Sequence, residues 1–275
     1  MKSARPFLKW AGGKGQLLAE LHAQLGDLEK FNHYHEPFVG GGAFFFSLYS
    51  QGVLKTKQAH LSDANPNLIE TYTAVRDAPE ELIRLLRGHA GKHSEEHYYR
   101  VRAEVPGKAV ARAARVIYLN RTCYNGLYRE NGSGQFNVPM GRYKNPTICD
   151  APNLLAVSEA LRAATLKVAH FREVASNARK GDFVYFDPPY WPVSSTSSFT
   201  SYAKERFGPV DQEELAEVFR KLTKKGVHAL LSNSDVPEVR ALYGEFSITR
   251  VYATRNVNSK AERRGKLAEV LVRNF

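Results

Sequence analysis

Cysteine is nearly missing from this sequence: Cys123 and Cys149 are the only two thiols in 275 residues. They fall into no metal-ligand spacing and cannot make a disulfide framework, so neither a zinc ribbon nor a stapled scaffold is indicated. His33 and His35 alternate on an expected strand, where a zinc pair is conceivable. No third ligand is evident, so packing or solvent-facing roles are favoured and no metal is expected. Long apolar runs are absent too. Nothing is long enough to span a bilayer, and the first residues lack a signal-peptide core, so the expectation is a soluble cytoplasmic protein with no membrane partner. No internal repeat or long low-complexity tract suggests a solenoid or a disordered arm.

Two nucleotide fingerprints are also missing, and each absence narrows the ligand. The glycine-rich EPFVGGGA at residues 36–43 lacks the strict G-x-G-x-x-G order, which disfavours a dinucleotide with its pyrophosphate. The segment FLKWAGGK at residues 7–14 looks like a phosphate loop only superficially. Leu8 stands where the first glycine is required, and Gly15 follows the lysine where Ser or Thr would bind magnesium. A lysine and an indole there could hold the carboxylate and the cationic face of a methionine-like ligand; a buried Trp10 beside a solvated Lys14 is the plain alternative.

What is present points to a basic α/β protein. Lys and Arg total 39 against 28 Asp and Glu, a net charge of +11 that attracts polyanions, and 43% hydrophobic residues suffice for a full core. Strand-like runs recur at residues 34–39, 59–62, 166–170, 183–186, 227–232, 247–252 and 267–272, with helical stretches between several of them. That alternation predicts one doubly wound sheet. Helices are expected to begin near Gln16 and Phe44. Between about residues 68 and 153 the pattern turns helical and rich in Arg, Lys, His and Tyr, and it reaches an expected hairpin tip at Gly132-Ser133-Gly134.

The run FVYF at 183–186 opens into Asp187, Pro188, Pro189 and Tyr190, which puts an acidic turn where open α/β sheets do chemistry. Proline has no N–H, so the turn offers acceptors only. Asp187 and the Pro188 carbonyl could take the two N–H groups of a planar exocyclic amine while Tyr190 stacks on its base. Upstream, EPFVGGGA reads as a strand entering a glycine turn, and about twenty residues later Asp63 ends a second strand, the spacing at which a carboxylate binds ribose hydroxyls. The pair forms a nucleoside-binding βαβ unit, for which S-adenosylmethionine, having no phosphate, is a permitted ligand. An ordinary tight turn and a helix cap ahead of Pro66 are the bland readings of the same residues.

The ordered set FLKWAGGK, EPFVGGGA, LSDANPNLI at 61–69, YLNRTCYNGLYRENGSGQFNVPMGRY at 118–143 and YFDPPY at 185–190 resembles the D12 class, Dam-type DNA adenine N6-methyltransferases in their α-group arrangement. The resemblance runs nearly end to end. It implies a Rossmann-like S-adenosylmethionine-dependent methyltransferase sheet formed by residues 1–67 and 154–275. Residues 68–153 would be an inserted, mainly helical DNA-recognition domain bearing a β-hairpin. By resemblance, Trp10, Lys14, Phe38, Gly40, Gly42, Asp63, Phe171 and Asp187 would line the cofactor pocket. Asp187, Pro188, Pro189 and Tyr190 would hold an adenine flipped from duplex DNA. Arg129 would read a guanine edge, Leu127 and Pro139 would touch the thymine methyl, and Tyr124 with Asn125 would fill the gap in the duplex. Lys9 and Tyr143 would complete readout of a GATC-like site. One departure is His170, where relatives often carry an acidic residue.

The implied reaction moves a methyl group from S-adenosylmethionine to adenine N6, leaving S-adenosylhomocysteine. The alternatives are an RNA or cytosine-N4 amino-methyltransferase and a non-catalytic sequence-specific DNA binder. A monomer associated with DNA is expected, either protecting it from a cognate restriction endonuclease or marking it for repair or regulation. Residues 192–202 are expected to form a loop that closes over the base, and Arg255, Lys260, Arg263, Arg264 and Lys266 a second basic cluster.

Overall fold

In the computed structural model, residues 3–10, 12–26, 30–192, 207–254 and 266–275 are described. The expected closing loop therefore lies outside the described residues beyond Pro192, and so does the basic cluster apart from the Lys266 backbone. Among the described residues seven strands make one sheet, in the order β3-β2-β1-β4-β5-β7-β6. Strands β1 (Tyr34–Glu36), β2 (Ala59–Asp63), β3 (Ala164–Val168), β4 (Phe183–Phe186) and β5 (His228–Ser234) are parallel. Strand β7 (Lys266–Arg273) runs antiparallel between β5 and β6 (Ser247–Thr254).

The chain builds outward from β1 to β3 on one side and from β4 to β6 on the other. The switch point lies between β1 and β4, and ligands of open α/β sheets bind beyond the strands' carboxyl ends at such a point. Burial explains the central strand, for all four side chains of β4 are buried, as expected of a parallel strand covered on both faces. At the edge, β3 is mostly exposed and spans 164–168 instead of the expected 166–170. Lys167 and Val168 face outward, so hydrophobicity there does not mark the strand. Strand β1 stops at Glu36 because Pro37 has no N–H to continue the ladder, and the chain turns so that Gly42 N donates to Val39 O at 2.6 Å.

Helices cover both faces. A 3-10 turn at Lys14–Gln16 precedes α1 (Leu18–Leu25), so this helix starts two residues after the expected Gln16. Helix α2 (Ala43–Ser50) follows the glycine turn directly. Helix α3 (Pro66–Asp77) is set by the Asn65 side chain, which accepts from the backbone N–H groups of Asn67 and Leu68, and by Pro66 in its first turn. Its sides meet β3, α6 (Ala109–Thr122) and α7 (Ala151–Leu161), and the expected division at 67/68 falls inside this helix. Among residues 68–153, α6 packs on α4 (Pro79–Gly91) and α5 (Glu95–Ala103). Tyr98, Tyr118 and Val138 are buried in the same core as Tyr34 and Phe183 of the sheet. The other face carries a second core, where α8 (Val174–Asn177), α9 (Pro209–Lys224) and α10 (Pro237–Leu242) cover β4 and β5.

After α6 the chain makes an irregular hairpin tied by bridges Cys123–Met140 and Glu130–Phe136. Its expected tip is present: the Asn131 side chain accepts from the N–H groups of Ser133 and Gln135, and Gly134 takes φ +73. In the interior strand β1, His35 is buried with Nε2 3.0 Å from Asp182 and its ring stacked on His60. Burial drives its imidazole down to about 4, a packed neutral side chain. None of the described helices is long and apolar enough to cross a membrane.

Candidate active site

Asp187 leaves β4 at the switch point. Its Oδ1 receives the Lys14 ammonium at 2.7 Å and the Ser232 hydroxyl of β5 at 3.1 Å. Lys14 is 6% exposed and Asp187 21%, so the pair is largely removed from water while the carboxylate keeps some exposure. Burial raises the Asp187 carboxyl above its ordinary value, against the opposing pull of Lys14 and Ser232. The same ammonium donates to Gly12 O at 2.7 Å and stands 4.5 Å from the centre of the Tyr190 ring. Tyr190 is fixed from the far end, its hydroxyl donating to Glu269 of β7 at 2.8 Å.

The second wall is the turn after β1. Gly40 has φ +46, and a Cβ there would lie 2.9 Å from the Trp10 ring, so only glycine lets the indole approach. Gly40 N donates to Asp63 Oδ2 at 3.2 Å, while Asp63 Oδ1 accepts from Asn65 N at 3.0 Å. Burial raises the Asp63 carboxyl, with these backbone bonds pulling it back. Gly42 is required for packing, because a Cβ would meet the Tyr72 hydroxyl at 2.7 Å. Phe38 stacks on Phe171 at 5.3 Å and meets Phe207 edge-on. Contacts thus join the expected cofactor residues in sets: Lys14 with Asp187, Trp10 with Gly40, Gly40 with Asp63, and Phe38 with Phe171. Two carboxylates, an open glycine backbone and aromatic walls fit a nucleoside bearing a cationic amino-acid tail. Beneath them Glu36, 2% exposed, accepts from the Tyr34 hydroxyl at 2.7 Å. Burial lifts its carboxyl to about 8.

Among the described residues one cluster has metal-ligand spacing: His170, Asp211 and Glu214. Its donors are already engaged. Arg172 binds Glu214 Oε1 and His170 Nδ1 at 3.0 Å each, and Asp211 accepts from Gly208 N at 2.7 Å. A guanidinium in the cluster opposes a cation there.

The expected DNA-reading residues gather on the hairpin and the N-terminal segment. Lys9 lies 3.9 Å from the centre of the Tyr143 ring, and its backbone N–H and C=O are both held by the Asn120 side chain. Tyr124, 49% exposed, donates from its N–H to Pro139 O at 2.9 Å. Asn125 is exposed in the left-handed region at φ 54, and Leu127 N–H donates to Tyr124 O. Arg129 sits further along, its Nε donating to Asn137 Oδ1 at 2.8 Å. On either side of it, Tyr128 and Glu130 share the Asn67 amide of α3, and the Tyr128 ring lies 5.3 Å from Trp10. The hairpin and the wall formed by Trp10 and the glycine turn are therefore in contact through side chains. The sequence reading missed Ser232, Glu269, Tyr128 and Asn67 as supports. For Ser232 a signal existed: the polar run Ser232-Asn233-Ser234 ends an apolar strand where a solvent-facing end would not need it.

The fold is that of an α/β enzyme of the methyltransferase class, with the Asp187 turn and the glycine turn on adjacent strands. The chain belongs to the D12 class N6 adenine-specific DNA methyltransferases, the family matched by residues 10–257. It is 45% identical to the Type II methyltransferase M1.LlaDCHI of Lactococcus lactis subsp. cremoris, over 98% of this chain and 95% of that protein. It is 41% identical to the Type II methyltransferase M.MjaIII of Methanocaldococcus jannaschii, over 98% and 99%. The DNA adenine methylase of Serratia marcescens is 36% identical over 98% of both chains.

Proposed function

We propose that this adenine-specific DNA methyltransferase uses S-adenosylmethionine and acts on an adenine extruded from duplex DNA at GATC sites. The observation that carries the reading is the state of Asp187: among the described residues, both of its bonds end on Oδ1, which leaves Oδ2 to an incoming amine. Trp10, Lys14, Phe38, Gly40, Gly42, Asp63, Phe171 and Asp187 would hold the cofactor. When bound, it supplies an electrophilic methyl group on a sulfonium. Asp187 Oδ2 and the Pro188 carbonyl accept the two N6–H groups of adenine, drawing the nitrogen lone pair out of ring conjugation. Tyr190 stacks on the base, worth roughly 1–3 kcal/mol, which offsets part of the cost of extrusion. Asp187 would stabilise the positive charge that grows on nitrogen as its bond to the methyl carbon forms and the carbon–sulfur bond breaks, leaving S-adenosylhomocysteine, and the extra proton would then pass to solvent. Lys14 is already paired with Asp187, so closing the site does not leave that carboxylate uncompensated.

Residues 68–153 act as the DNA-recognition unit in this reading, with Arg129 on guanine and Lys9, Tyr124, Asn125, Leu127, Pro139 and Tyr143 around the rest of the site. The two Type II methyltransferases among its relatives support a role beside a cognate restriction endonuclease. A cytoplasmic monomer is sufficient for this chemistry. The test uses labelled S-adenosylmethionine and matched duplexes that differ by one GATC. Label recovered as N6-methyladenine from the GATC duplex alone is the expected result. Equal labelling of both would reject the readout, and labelled cytosine or labelled RNA in place of DNA would reject the substrate.

A further inference from the structure

Beyond Asp187, the acceptor turn is held by a second set of buried groups. Gln212, in the first turns of α9, donates through Nε2 to Pro189 O at 2.9 Å. Asn233 of β5 donates through Nδ2 to Gln212 Oε1 at 3.0 Å, and its Oδ1 accepts from Trp191 N at 3.0 Å and from Ser234 N at 2.8 Å. Ser234 Oγ donates to Trp191 O at 2.8 Å. Gln212 is 2% exposed and Asn233 fully buried. Four polar side chains, with Ser232, are thus placed in a core that would otherwise be apolar, and each meets the turn or a group bonded to it.

The direction of this amide pair is forced. A carbonyl at the Pro189 end accepts only, so Gln212 must present its NH₂ there, and an N–H at the Trp191 end donates only, so Asn233 must present its oxygen. The linking bond then has one possible polarity, Asn233 to Gln212. Two amides aligned head to tail between a carbonyl and an N–H form a brace of fixed length across residues 189–191. The brace also sorts the turn's acceptors. Pro189 O is taken by Gln212, whereas among the described residues no group donates to Pro188 O.

We propose that Gln212 and Asn233 are positioning residues that brace residues 189–191 and leave the Pro188 carbonyl as the backbone acceptor for the target amine. The inference rests on the function proposed above and deepens it. Neither side chain touches substrate. They act by fixing the turn, and displacements near 1 Å in such a site can cost about 100-fold in rate.

Gln212→Glu is the informative variant, because it preserves shape but replaces the donor with an acceptor. A carboxylate facing Pro189 O repels it, whereas the protonated acid can donate to Pro189 O and still accept from Asn233. With GATC duplex and saturating cofactor, kcat of Gln212→Glu should fall about 10–100-fold at pH 8 while cofactor and DNA binding stay within about threefold. The ratio of variant to wild-type kcat should climb as pH is lowered, which loss of packing alone would not produce. Gln212→Leu removes the donor without adding charge and should show the kcat loss with no pH recovery; it decides the matter if the glutamate variant does not melt cooperatively. Wild-type kcat in either variant overturns the proposal, as does a pH-independent loss that is matched by equal loss of cofactor binding. Wild-type protein that methylates no adenine would overturn the proposed function instead, so the two failures are distinguishable.

Discussion

The Asp187 turn, the proposed acceptor, and the hairpin of residues 123–143, the proposed reading element, hold their side chains by opposite means. Asp187 and Tyr190 stand on a buried strand end, and the side chains that hold them come from β5, β7 and the N-terminal segment. The hairpin of residues 123–143 has only two isolated bridges, an exposed Tyr124 and a non-glycine residue at positive φ, Asn125. Chemistry needs fixed distances at one atom, which a dry polar network supplies. Readout needs side chains that reach into a groove, and regular sheet pairing would tie up their backbone and turn half of them inward. Contact through Tyr128, Glu130 and Asn67 joins the two regions without making them alike.

Substitution of the acceptor should have the largest effect. Asp187→Ala should lower kcat by about 10²–10³-fold or more, comparable to loss of a preorganised charge-stabilising group, while duplex binding persists. A steady-state assay beside a binding titration checks this, and near-normal turnover would remove Asp187 from the chemistry. In the wild type the carboxyl must be ionised to accept the amine. Because burial raises it, activity should be lost as pH falls through a value above the usual carboxylate range. An acid limb at or below that range would contradict the burial argument.

Next in size is Glu36→Gln. In the fold the Glu36 proton stays on to about pH 8, against an ordinary value of 4.5. Between those limits the folded state holds a proton that the unfolded chain releases. The stability Glu36 contributes is therefore full below 4.5 and is lost as pH rises towards 8. Glutamine keeps an acceptor for Tyr34 but removes the titration, so the variant's advantage should grow from pH 5 to pH 8, reaching on the order of a few kcal/mol. Urea unfolding at three pH values reads it; a constant gap would clear Glu36 of the titration.

On the hairpin the effects should be smaller and different in kind. Arg129→Ala should relax discrimination between cognate and near-cognate duplexes by roughly 1–3 kcal/mol while kcat on the best site changes little. If site preference is unchanged, Arg129 leaves the readout set. The smallest effect is conformational. Asn125→Ala should cost about 1 kcal/mol of stability because alanine resists φ 54, whereas Asn125→Gly should be nearly neutral, as thermal melts can show. Equal losses in both would mean that the asparagine side chain, and not its backbone, supports the turn.

The same contrast governs what could be read from the sequence. Strand β4 was legible to the residue because FVYF is buried on both faces, and the Asp187 turn follows from its end. At β3 the reading slipped by two residues, since an exposed edge strand carries no apolar pattern to locate it. Lys14 and Asp63 were visible through motif spacing. Gln212 was not, since it lies beyond residues 193–206 and reads as one polar residue at the start of an amphipathic helix. Its place in the stripe with Leu215, Ala216, Phe219 and Leu222 was the available clue. Pairings such as Tyr190 with Glu269 depend on which strands become neighbours, and local periodicity contains nothing about that.

The placement of β7 between β5 and β6 sets an order of assembly. During synthesis Tyr190 is made 79 residues before Glu269, its hydroxyl's partner. At about 5–20 residues per second the interval is about 4–16 s. A nascent chain can form β1 to β5 and the glycine cradle in that time, but β6 has no neighbour in the sheet until β7 emerges and is inserted beside it. The edge of β5 stays unpaired meanwhile, a surface for chaperones or for misassembly. Methylation competence is consequently a late event, timed by the arrival of one strand on the ribosome rather than by formation of the cofactor site.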